Sequence, residues 1–94
     1  MIGSFVIIRC RNAGVHCGML VEIAGTSVLL SDARRVWRWS GANSLHELSI
    51  RGAAEQGTRI SEPVAKILLT ECIEVIPCEK QAEENLSKSR WSKS

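Results

Sequence analysis

"SFVIIRCRNAGVHCGMLVEIAGTSVLL", residues 4–30, decides the fold. Its first eight residues are rich in β-branched and aromatic side chains, the composition that suits a pleated surface. In an extended chain Phe5 and Ile7, with Arg9, fall on one face, and Val6, Ile8 and Cys10 on the other. Asn12-Ala13-Gly14 is a turn signal, residues 15–23 read as a second strand, and Ala24-Gly25-Thr26 turns the chain again into residues 27–30. Two turns at this spacing leave no room for a crossover connection, so the strands form an antiparallel meander.

The next stretch outward is "ARRVWRWSGANSL", residues 33–45. It carries Arg34, Arg35, Arg38, Trp37 and Trp39 in a chain with three Trp, one Phe and no Tyr. After a bend at Ser31-Asp32, residues 33–39 read as extended, with Arg35, Trp37 and Trp39 on one face and Arg34, Val36 and Arg38 on the other. Residues 40–43 form a loop. Ser44-Leu45-His46-Glu47 is a capping box that opens a helix, with Leu45, Leu48 and Gly52 on one side and a stop near residues 51–53.

Residues 54–62 are polar, contain Gly57 and read as a surface loop closed by Pro63. Most of "VAKILLTECIEVI", residues 64–76, reads as a strand that pairs near the centre of the sheet. Its imperfect alternation predicts a bulge near Thr70 or a locally buried Glu71. Pro77 ends it, and residues 79–93 are polar and helix-prone, with Ala82 and Leu86 one helical turn apart and a fraying end at "KSRWSKS". The expected architecture is a single α+β domain over residues 1–78. It has a small curved antiparallel sheet of four or five strands, one short capped helix and a C-terminal helix, the last in a polar tail over residues 79–94.

Ninety-four residues support one modest core, so association into a homo-oligomer is expected. With 45% hydrophobic and 23% charged residues the chain is globular, and a net charge of +2 is too small for a coat that binds long nucleic acid. The charge is unevenly spread. Residues 1–41 hold five arginines against Glu22 and Asp32, and every Lys lies at Lys66 or later. Arginine forks onto phosphate and stacks on rings where lysine is a solvated point charge, so the first half is the place for an anion site.

Residues 1–8 lack the basic start and cleavage site of a secretion signal, and no apolar run reaches membrane-spanning length. The expected location is the cytoplasm, away from membranes. Cys10, Cys17, Cys72 and Cys78 show no C-x-x-C spacing, and although His16 could join Cys10 and Cys17 as ligands, four reduced thiols and no metal are expected.

No catalytic constellation stands out. Two histidines, His16 and His46, and a single Asp give no nucleophile–base pair that spacing supports, and Glu71 and Glu74 would point to opposite faces of a strand. Neither a phosphate loop nor a G-x-G-x-x-G is present. The expectation is a protein without enzymatic activity or cofactor.

Binding chemistry is better represented. Trp37 and Trp39 offer faces for a nucleobase, stacking being worth roughly 1–3 kcal/mol per base. Arg34, Arg35 and Arg38 can fork onto phosphate oxygens. Ser40, Gly41, Ala42, Asn43 and Ser44 lead backbone amides into a helix start, where an anion is favoured. These ten residues form the expected ligand site, with residues 14–18 as a second wall, from the same or a neighbouring subunit. The competing reading puts at least one Trp in the core, the arginines on an outer sheet face, and residues 40–43 in an ordinary turn before a cap. Trp91 is read as a docking or subunit-contact residue.

"DARRVWRWSGANSLHEL" and "PVAKILLTECIEVIPC", with the opening "RCRNAGVHCGMLVE", resemble a family of small phage and prophage proteins. Members look like A-R-R-[VI]-W-x-W-S-G-A-x-S-L followed by I-L-L-T-E-x-I-E-[VI]-I-P-C, and the likeness covers residues 6–80. Arg38 stands where many members have an aromatic, which adds charge here. The resemblance implies a phage origin. By analogy with counter-defence sponges, it implies sequestration of a cyclic nucleotide or ADP-ribose-type immune signal of the bacterial host, without cleavage, by a homo-oligomer. The rival readings are a module that inhibits a host protein directly and a small single-stranded nucleic-acid binder.

Overall fold

The computed structural model describes residues 1–88; the expected fraying end and Trp91 fall outside the described residues. The element order is β1 (Phe5–Cys10), β2 (Gly14–Ala24), β3 (Ser27–Arg38), α1 (Leu45–Arg51), β4 (Arg59–Ile60), β5 (Val64–Leu69), β6 (Cys72–Pro77) and α2 (Lys80–Leu86). The class is α+β, an open antiparallel sheet with two helices, one of them C-terminal. The sheet has six strands, more than the four or five expected.

The meander forms as its turns dictate. β1 pairs antiparallel with β2 and β2 with β3, and Ala24 faces Ser27 across the two-residue turn. The bend at Ser31-Asp32 does not end the strand. Asp32 takes a left-handed conformation (φ 48°) and β3 runs on through it, absorbing the irregularity as a register shift against β2.

The strand expected over residues 64–76 is two strands. They join at Thr70-Glu71, where Glu71 is exposed and left-handed at φ 57°. β5 pairs with β3 and β6 with β1, so the halves lie on opposite edges of the sheet, not near its centre. Between those edges lie four inter-strand steps, roughly 19 Å if flat. The three Cα steps from Leu69 to Cys72 span at most about 11 Å. The sheet therefore curves until its edges approach at this corner, without closing into a barrel. Arg11 N–H donates to Glu71 O (3.0 Å) and Cys72 N–H to Thr26 O (2.9 Å), pinning the corner to both hairpin turns.

Curvature creates two cores that share β1. Val6, Ile8 and Cys10 point inward with Leu20, Val28, Leu30, Ala33, Leu69 and Cys72. Phe5 and Ile7 point outward, where Cys17, Val36 and Ile60 meet Leu48 of α1 and Leu86 of α2. The alternation read for β1 is thus realised with both faces buried, Arg9 alone being exposed and 3.6 Å from Glu74.

α1 starts at Ser44, whose Oγ accepts from Glu47 N–H (3.3 Å), and stops at Gly52 (φ 83°), where an added Cβ would collide with Asn85. α2 continues the domain beyond residue 78, with Ala82 and Leu86 fully buried, so no structural boundary falls where the tail was expected to begin. Residues 54–62 are likewise not all surface loop. Thr58 and Ile60 are buried, and β4 pairs with the end of β3.

Candidate functional site

β3 is long enough to be flanked twice on its outer edge, by β5 along Val28–Ala33 and by β4 near Val36 and Arg38. Between β4 and β5 the chain detours through Ser61, Glu62 and Pro63, and this leaves a cleft of about 570 Å³. That size falls within the roughly 300–1,000 Å³ usual for small-molecule sites. Ala33, Arg35 and Trp37, alternate residues of β3, line it together with Arg34, His16 of β2, Ser61, Glu62, and Val64 and Ile67 of β5.

The two faces of β3 therefore do different things. Val36 is buried against the helices. Ala33 closes the inner core, Arg35 is exposed and Trp37 is 50% exposed at the cleft. Ser61 holds the opposite wall in place: Arg35 N–H donates to its Oγ (2.8 Å), Ser61 N–H donates to Arg35 O (3.0 Å), and Arg34 Nη1 donates to Ser61 O (3.4 Å).

His16 lies opposite Arg35 across the β2–β3 ladder and is 1% exposed. Its Nε2 donates to Ala13 O (3.0 Å), since a carbonyl can only accept. Burial pushes its pKa below 6.5, the Ala13 bond opposing and the Arg35 charge adding to the shift, so the ring is neutral at pH 7. The cleft thus combines a half-exposed indole, a guanidinium, a neutral imidazole, a carboxylate and an aliphatic wall.

Of the ten residues read as a ligand site, Arg34, Arg35 and Trp37 meet here; the others lie elsewhere. Arg38 is exposed opposite Arg59, and Trp39 packs on the helix-side core, so a register shift near the end of β3 separates the two tryptophans that strict alternation puts together. Ser40 is tied to the 54–58 loop, through its N–H to Thr58 Oγ1 (3.2 Å) and its carbonyl from Ala54 N–H (2.8 Å). Gly41 stacks on Ala54 and Ala42 packs on the helix-side core. Asn43 donates from its amide N–H (3.0 Å) and Nδ2 (3.2 Å) to Glu47 Oε1, and Ser44 caps the helix. Of the amides expected to meet an anion, that of Asn43 is already held by a carboxylate and that of Ser40 by Thr58, and α1 is only seven residues long.

His16, Ala33, Ser61, Glu62, Val64 and Ile67 complete the cleft and are outside the ten, although His16 lies in the 14–18 stretch expected as a second wall. Counting pairs back from the Gly25-Thr26 turn reaches His16–Arg35, because the two shifts along β2–β3 compensate. Ser61 and Glu62 had no such signal, since β4 is two residues long.

Among the described residues no three of His, Cys, Asp and Glu gather as metal ligands. Cys10 and Cys72 face each other with sulfurs 3.6 Å apart, and all four thiols are free. Burial pushes Cys17, Cys72 and Cys78 up to about 12. No helix of the described residues is long and apolar enough to cross a membrane.

The model of a family described as "Domain of unknown function (DUF6948)" matches residues 3–86. The chain belongs to this family. The DUF6948 match runs from before β1 through the last turn of α2, so both cores, the cleft and the C-terminal helix lie within the family's domain. No curated protein and no solved structure matches the chain.

Proposed function

We propose that this chain is a cytoplasmic binding protein that captures a small nucleotide-derived signal, a cyclic nucleotide or ADP-ribose-type molecule, and holds it without cleaving it. The observation that carries the reading is that Trp37 and Arg35 line one cleft: a half-exposed indole, and an arginine that has no ion-pair partner among the described residues. An aromatic face with an adjacent forked cation is what a base carrying a phosphate needs. Ala33, Val64 and Ile67 supply an apolar floor that excludes water from one side of the ring. By analogy with counter-defence sponges, the resemblance to phage proteins supports a host immune signal as the ligand's source and sequestration by a homo-oligomer as its purpose.

The test is direct. The protein is incubated with a panel of cyclic di- and trinucleotides and ADP-ribose derivatives, its thermal shift recorded, and the ligand released by heating identified. One panel member should stabilise the protein and be recovered unchanged, and Arg35→Ala and Trp37→Ala should lose that stabilisation while keeping the native circular dichroism. If no panel member shifts the melting temperature, the reading fails. Val64 and Leu68, exposed on the edge strand β5 beside the cleft, favour direct inhibition of a host protein as the second reading.

A further inference from the structure

Glu62 is an odd neighbour for an anion site. Glu62 lines the same cleft as Arg35, yet neither side chain has an ion-pair partner among the described residues, and so they do not neutralise each other. The loop that carries it is not free to swing away. Ser61 is bonded to the Arg34 guanidinium and to both backbone polar groups of Arg35, and its Oγ donates in turn to Glu62 O (3.0 Å). The cleft thus sets an acceptor side chain, on a loop whose backbone is held, and a donor side chain on β3 beside the same opening as Trp37.

A carboxylate repels a phosphate, so a nucleotide must turn its phosphate toward Arg35 and something that donates toward Glu62. Ionised carboxylate is acceptor-only and is best satisfied by two adjacent N–H or O–H groups. The bases differ sharply here. Guanine offers N1–H beside its 2-amino group, two neighbouring donors in the ring plane. Adenine and cytosine each set one amino group beside a ring nitrogen that accepts, and uracil sets one N–H between two carbonyls, so each brings at least one lone pair against the carboxylate.

Resting on the nucleotide reading above, we propose that Glu62 is the specificity residue of the cleft and selects a guanine base, accepting N1–H and N2–H while Trp37 stacks on the ring and Arg35 meets the phosphate. Guanine-bearing members of the nucleotide class are then the natural ligands. Glu62 is exposed and outside both cores, so its replacement leaves the fold intact.

Binding of GMP, IMP, AMP and 2′-deoxy-GMP to the wild-type protein and to Glu62→Gln is measured by titration calorimetry. GMP should bind at least about tenfold more tightly than AMP, the scale of one bidentate base contact. IMP, lacking the 2-amino group, should fall between. Glu62→Gln should weaken GMP and leave AMP unchanged or tighter, because the amide sets a donor beside an acceptor as the adenine edge requires, so the GMP-to-AMP preference is lost, and 2′-deoxy-GMP should match GMP. If GMP and AMP bind alike, or Glu62→Gln leaves their ratio unchanged, the guanine inference is overturned while the nucleotide reading stands. A loss for 2′-deoxy-GMP as large as that for Glu62→Gln would assign the carboxylate to the ribose and overturn it equally. If none of the four binds and the cyclic and ADP-ribose panel is also silent, the reading and the inference fall together.

Discussion

Trp37 and Trp39 sit two residues apart and have opposite jobs. Trp39 packs on the core beneath the helices, whereas half of Trp37 faces the cleft. Trp39→Ala should therefore cost roughly 3 kcal/mol, the low end for a large aromatic because the ring is only partly buried. Trp37→Ala should cost less than about 1 kcal/mol, as exposed positions do. Urea denaturation of the two variants checks the contrast, and equal losses would place both rings in the core. His16 gives a second residue-scale expectation. Its folded pKa lies below the unfolded value of 6.5, so between those values the unfolded chain binds more protons and stability rises with pH. The contribution is complete above about 6.5 and is lost as the pH falls toward the folded value. In stability measured against pH from 7.5 to 5, His16→Gln should flatten that part of the slope; an unchanged slope would show that other groups cause it. The thiols follow the same logic of burial. Cys17, Cys72 and Cys78, raised to about 12, should resist alkylation at pH 8 until denaturant opens the fold, a contrast read by mass spectrometry.

At the scale of elements, local chemistry was legible and partner choice was not. The turns after β1 and β2, the Ser44 cap and the stop at Gly52 are written in adjacent residues, and each forms as its side chains require. Residues 64–76 misled because a buried strand and two half-strands on opposite edges have the same apolar composition. Only the left-handed Glu71, an uncommon conformation for a side chain of that size, marks the break. The site was half legible for a related reason. Arg34, Arg35 and Trp37 announce themselves, but the facing wall comes through a two-residue strand with no periodicity to detect. Residues 40–44 misled in the other direction: a helix start reads as an anion site until the structure shows Glu47 bonded to Asn43. The helix layer rests on a similarly inconspicuous contact. Asn85 of α2 accepts from Ala53 N–H (2.9 Å) and donates to Ala53 O (3.0 Å), joining α2 to the chain just past the end of α1. Asn85→Ala leaves both backbone groups of buried Ala53 unsatisfied and should cost about 1–3 kcal/mol in chemical denaturation. A variant as stable as the wild type would mean that water replaces the amide there.

For the whole molecule, the shared strand β1 matters most. Ile7 and Ile8 are adjacent, both fully buried, and serve different cores: Ile7 the one under the helices, Ile8 the one inside the curved sheet. A chain of this size has little stability to divide between independent layers. Neither core can lose β1, because that strand bonds β2 on one side and β6 on the other. The two layers should therefore unfold as one unit. Ile7→Ala and Ile8→Ala should each cost roughly 2–5 kcal/mol, the usual range for truncating a buried isoleucine. In each variant, far-ultraviolet circular dichroism and tryptophan fluorescence should still give coincident unfolding curves. With Trp91 replaced by Phe, fluorescence follows Trp39 under the helices and Trp37 at the rim of the curved sheet, so it samples both layers. If Ile7→Ala instead released the helices while the sheet signal persisted, the layers would be separable. The cleft, built from the sheet and the 61–64 segment without any helix residue, would then survive in the partly unfolded state.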